Sequence, residues 1–103
     1  MYSHDHQAEL FSYRQTIDNL DAALIHILAE RFRCTHKVGE LKAAHHLPEI
    51  DTGREALQLT RFREIGQSAG LDGNFVEGFM RSIIDEVVRR HRKVKASHRM
   101  RPA

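Results

Sequence analysis

Arg31, Lys42 and Arg14 are three cations on a stretch of chain that otherwise carries a regular apolar stripe. Counted in heptads from Leu10, one seam position reads Leu10, Ile17, Leu24, Arg31 and Val38. The other reads Tyr13, Leu20, Ile27, Cys34 and Leu41. Such a repeat predicts a helix buried along one face. A guanidinium on that face carries a heavy desolvation cost unless a negative group meets it. Two readings satisfy this requirement. One is structural, a buried ion pair with an aspartate or glutamate, or a side chain snorkelling to water; the other is a bound anion.

The positions of the cations bear on that choice. Lys42 follows Arg31 by eleven residues, which at about 100° per residue returns it to within about 20° of the same direction. Arg31, Thr35, Val38 and Lys42 therefore form one ridge, and no acidic residue lies on it. Arg14, seventeen residues before Arg31, points about 100° away around the axis and in a paired helix could reach a partner's site. Further on, "DTGREAL" has the spacing of a capping box between Thr52 and Glu55, with Asp51 favouring the helix dipole. Arg54 beside Glu55, at a helix start that itself attracts anions, could instead recognise a hydroxylated acid. His91 closes the apolar stripe Phe75, Val76, Phe79, Met80, Ile83, Ile84, Val87 and Val88; a lone histidine there is ordinarily a surface or partly satisfied residue.

The elements that must position these residues follow from the helix breakers. Strand signals are nearly absent, and three helical segments are expected, an all-α fold. The first runs from about Gln7 to His45, with Gly39 its one internal weakness and Pro48 beyond its end. The second opens at "DTGREALQLTRF" and stops near Gly66 to Gly70; the third follows Asp72, a candidate N-cap, and reaches about Lys95. Residues 1–6 are expected to be a disordered tail, 7–96 the helical domain and 97–103 a basic tail. A first helix of about 38 residues would be about 57 Å long, whereas a compact domain of this size has a radius of gyration of about 13 Å. Its seam needs another cover, and an intertwined homodimer supplies one; the alternative is a kink near Gly39 that folds the helix back on itself.

Composition narrows the classes. The 103 residues are 41% hydrophobic and 29% charged, ordinary for one soluble globular domain. No apolar run approaches the roughly 18 residues of a membrane span. "MYSHDHQAELF" has neither the basic start nor the apolar core of a secretory signal, and a cytoplasmic protein is expected. A single cysteine excludes an internal disulfide, and Cys34, on the seam, is expected to be a buried, inert thiol. The formal charge is +2, with the excess in "RRHRKVKASHRMR". No aromatic residues interleave with those charges, so solubility is a better reading than nucleic-acid binding. The clusters "SHDH" and His45–His46 lack zinc-site spacing, and no metal is expected.

The order of "YRQTIDNLDAALIHILAER", "KVGELK", "IDTGRE", "GQSAGLD" and "IIDEVV" resembles the all-helical class of chorismate mutases over residues 10 to 95. The resemblance implies a dimer of three-helix chains whose long first helices pair, with two sites. Each site would be lined by one chain and completed by an arginine from the other, and no cofactor would be needed. By position, Arg14 would be the cross-subunit arginine. Arg31 would grip a substrate carboxylate, and Lys42 would reach a carboxylate and the ether oxygen. Asp51 and Glu55 match positions near the ring hydroxyl, and Arg54 matches a further site cation. Val87 stands where a small hydroxyl residue often sits. His91 stands where glutamine or glutamate meets the ether oxygen.

The implied reaction is the pericyclic shift of chorismate to prephenate, in phenylalanine and tyrosine biosynthesis. It needs no nucleophile, metal or redox group. The enolpyruvyl arm must be held over the ring, and negative charge growing on the ether oxygen must be stabilised. Imidazole can donate from either nitrogen or as imidazolium, so His91 is expected to supply a donor beside Lys42. Isochorismate-pyruvate lyases and mutases of amino-substituted chorismate share the fold. The alternative from another class is a basic helical protein binding nucleic acid. Arg31 and Lys42 lie on or beside an apolar seam rather than on an exposed basic face, which disfavours it.

Overall fold

A computed structural model of the chain describes residues 4–100. It contains three α-helices, α1 (His4–Ala44), α2 (Thr52–Ser68) and α3 (Gly73–Arg99), and no strand among the described residues. The helices run past their expected ends. α1 begins at His4 with Asp5 in its first turn, and α3 continues to Arg99 with His98 and Arg99 in its last turn. Charges of those signs stabilise those ends of a helix dipole. Of the expected tails, residues 4–6 and 97–99 are therefore helical, and residues 1–3 and 101–103 lie outside the described residues.

The chain divides into two units, one ending at Cys34 and one beginning at Thr35. The first consists of the greater part of α1. Its seam residues Leu10, Tyr13, Ile17, Leu20, Leu24 and Ile27 are 47–67% exposed, because a single helix offers its own apolar face nothing to pack on. Cys34 shares this condition: it is exposed, against the expectation of a buried thiol.

The second unit holds the end of α1 with α2 and α3, and α2 packs along α3. Its buried residues include Ala43, Leu59, Ile83, Ile84 and His91. The expected stripe of α3 is buried at Ile83 and Ile84. Phe75 and Phe79, at its start, are exposed and stack on each other with centroids 6.3 Å apart.

Local chemistry sets the helix ends. α1 closes in a Schellman motif, with Leu47 N–H donating to Lys42 O at 2.8 Å and His46 N–H to Ala43 O at 3.4 Å. The left-handed position falls on His46 (φ 55°), and Pro48 follows. α2 closes in the same way, with Leu71 N–H on Gly66 O at 2.8 Å and Gly70, at φ 82°, in the left-handed position that glycine occupies without strain. As the sequence predicts, Asp72 caps α3, accepting from Asn74 N–H at 2.8 Å. Arg63 of α2 bonds to Asn74 Oδ1 at 2.9 Å and Glu77 Oε2 at 2.7 Å, tying α2 to the first turns of α3.

Candidate active site

Several cations of the chain are paired and several are not. Arg33, Arg63, Arg89 and Arg92 each lie on a glutamate. Among the described residues no ion pair forms at Arg14, Arg31, Lys42 or Arg54. Exposed Lys37, Arg61 and Lys93 are also unpaired, but water solvates them. Arg31 is different: it is half-buried, and its Nη1 is out of solvent with no hydrogen-bond partner. Among the described residues of the chain, therefore, no carboxylate meets Arg31 on the seam. An unmatched buried donor of this kind costs about 1–3 kcal/mol, more when charged, unless a ligand accepts from it.

Lys42 lies in the last turn of α1, where a cation suits the helix dipole, and is half-buried. One turn earlier α1 carries Gly39. The ring of His91, from α3, rests directly on it: a Cβ at Gly39 would come within 2.6 Å of His91 Cδ2. His91 is only 5% exposed, so it is not a surface residue, but it is the partly satisfied one the sequence allowed. Its Nε2 lies 2.8 Å from the carbonyl oxygen of Thr35, and its Nδ1 is buried without a partner. Val87, one turn before His91, is half-buried.

At the start of α2 the capping arrangement is shifted by one residue from the expected box. Asp51, not Thr52, is the N-cap, and its Oδ1 accepts from Arg54 N–H at 3.0 Å. Asp51 and Thr52 both suit a cap, and the aspartate, the stronger N-cap of the two, takes the position. Glu55 is thereby released from the box, and its carboxylate lies 3.9 Å from the Arg81 guanidinium of α3. The Arg54 side chain is exposed and unpaired.

The sequence placed Thr35 on the cation ridge but gave no sign that its carbonyl meets His91, and it did not single out Gly39 as a contact surface or Arg81. The one available signal was a mid-helix glycine, which often marks a close approach. An open cleft of about 500 Å³ lies at the ends of α1 and α3, lined by Ala43, Ala44, His46, Lys95, His98 and Arg99. None of the predicted site residues belongs to it, and its Lys95 and His98 are matched by Glu49 and Glu40. Among the described residues no group of His, Cys, Asp or Glu side chains could hold a metal ion, and no helix is long and apolar enough to cross a membrane.

A chain of three helices, with cations left unmatched on the first and a capped acidic turn opening the second, can be compared with known proteins. The family model described as "Chorismate mutase type II" matches residues 13–92, a span that holds every predicted site residue from Arg14 to His91. The chain belongs to the chorismate mutase type II family. It is 34% identical over 79 residues to the T-protein of Enterobacter agglomerans, covering 77% of this chain and 21% of that protein. It is 33% identical over 79 residues to the bifunctional chorismate mutase/prephenate dehydratase of Escherichia coli (strain K12), covering 77% and 20%. To the protein of the same name from Buchnera aphidicola subsp. Schizaphis graminum it is 28% identical over 86 residues, covering 84% and 22%. The chain thus spans about a fifth of the length of the curated relatives it matches.

Proposed function

We propose that this chain is a chorismate mutase, rearranging chorismate to prephenate in phenylalanine and tyrosine biosynthesis. The observation that carries the proposal is the unmatched, buried Nη1 of Arg31, on a family member whose matched span includes it. A dicarboxylate substrate supplies the missing negative charge. Arg31 takes one carboxylate in a bidentate contact. Lys42, on the same α1 ridge, reaches a carboxylate and the ether oxygen. Asp51, Glu55 and Arg54 attend the ring hydroxyl and the second anionic group, Val87 borders the ring, and His91 adds a donor at the ether oxygen.

Catalysis in this reading comes from orientation and charge. The cations fold the enolpyruvyl arm over the ring, so that the C–C bond can form as the C–O bond breaks. Negative charge grows on the ether oxygen in the transition state, and fixed cations bind that state better than the ground state. No group of the protein is covalently altered.

The active form is an intertwined homodimer in the cytoplasm, with Arg14 crossing to the partner's site; neither nucleic acid nor membrane takes part. The exposed seam from Leu10 to Ile27 supports this. Fully burying a leucine or isoleucine is worth about 1.5–3 kcal/mol, and a second copy of α1 offers the matching heptad face. The test is incubation of the purified chain with chorismate, with products followed by NMR. Prephenate is the expected product. Release of pyruvate from isochorismate with no action on chorismate would move the assignment to a lyase, and no turnover of either would overturn it.

A further inference from the structure

The bond between His91 and Thr35 restricts what His91 can do at a site. A carbonyl oxygen only accepts, so Nε2 carries the proton in that contact. Neutral imidazole has one N–H, which leaves Nδ1 as a bare acceptor. A ring held in this way can donate from Nδ1 only as imidazolium. Gly39 enforces the arrangement, because any side chain there would push the ring off α1.

We propose that Thr35 and Gly39 are positioning residues that lock His91 as the Nε2–H tautomer, so that His91 donates to substrate only when Nδ1 takes up a proton. The inference rests on the chorismate mutase reading and adds the charge state in which His91 works. The charged groups on the surrounding elements support it. On α1, Glu40 is held by His36 and His98, and Lys42 has no ion pair. On α3, Arg92 and Lys95 share Glu49. On α2, Glu55 is matched to Arg81. Glu49 and Glu55 are each committed to a cation, Glu40 lies between two histidine rings, and Nδ1 itself has no partner. A proton on Nδ1 therefore gains its acceptor when an oxygen-rich ligand arrives.

Two measurements on the full chain test this. In ¹⁵N-histidine NMR the neutral form of His91 should show a protonated Nε2 and a bare Nδ1; a neutral Nδ1–H form overturns the proposal, and this reading needs no variant. In the pH profile, kcat/KM of the wild type should fall tenfold per pH unit above the pH at which the same NMR signals show His91 losing its proton. His91→Gln, whose amide donates at any pH, should be flat across that range. A flat wild-type profile, or the same break in His91→Gln, overturns the proposal while leaving the mutase reading intact. Absence of prephenate at every pH overturns the mutase reading, and the donor role falls with it. Gly39→Ala should lose the single-tautomer signature and the sharp break together.

Discussion

His91 Nε2–H donates to the carbonyl oxygen of Thr35 across 2.8 Å, and it does so over the bare backbone of Gly39. A backbone carbonyl inside a helix ordinarily serves the amide four residues on. At Thr35 it also receives a side chain from α3, which fixes the height of α3 against the end of α1. The consequence for the site is that the last turns of α1, with Lys42, and the turn of α3 bearing Val87 and His91 are set by one contact.

Arg31 should show opposite effects on stability and activity. Its Nη1 is buried without a partner, so the empty protein bears the cost of an unmatched donor. Arg31→Met keeps the length and removes the charge. We predict that it raises unfolding free energy by about 1–3 kcal/mol in the absence of ligand. It should also lower kcat/KM roughly a hundred- to a thousandfold, the usual loss when one fixed donor to a developing anion is removed. Denaturant titration and an activity assay on the same sample check both signs. A destabilised variant would mean that Arg31 has a structural partner after all.

Glu49 gives a pH-dependent contribution with a defined sign. Its own backbone amide, then the Lys95 ammonium at 3.3 Å, and Arg92 hold its carboxyl below the usual glutamate range. A depressed acid stabilises the fold above its unfolded-state value and ceases to do so as pH falls through the folded-state value. Glu49→Gln should therefore melt below wild type at neutral pH, by a small margin because the group is at the surface. The two melting temperatures should converge as pH drops below the glutamate range.

His46 occupies the left-handed position that ends α1, at φ 55°. Such a conformation costs a non-glycine residue roughly 1–2 kcal/mol, offset in part by the greater chain entropy glycine loses on folding. His46→Gly is predicted to stabilise the protein by about 0.5–1 kcal/mol, measured by denaturant titration. Activity should not change, since His46 lies outside the proposed site.

Much of this was readable from local sequence. Gly70, Asp72 and Pro48 punctuate the chain where the helices end, and the heptads from Leu10 define one long α1. The order of Arg14, Arg31, Lys42 and the acidic turn carried the family resemblance, which the match over residues 13–92 bears out. What escaped the sequence was of two kinds. The shift of the cap from Thr52 to Asp51 escaped because the Thr52–Glu55 spacing of a capping box masks the neighbouring aspartate, which is the better N-cap. The burial of His91 escaped because its partner is a backbone carbonyl 56 residues away, and a backbone carbonyl leaves no mark on residue type. Cys34 shows the limit of a heptad argument: the pattern names the face that is apolar without naming what covers it.

A mutase site built around Arg31 of one chain and completed by Arg14 of another, as proposed, can be tested by complementation. Arg14→Ala and Arg31→Ala should each be nearly inactive alone. Mixed, unfolded together and refolded, they should form heterodimers in which one of the two sites regains both arginines. Random pairing puts half the dimers in that form, so about a quarter of wild-type chorismate turnover should return. A mixture as inactive as its components, or an Arg14→Ala protein with wild-type kcat/KM, would rule out a site shared between two chains.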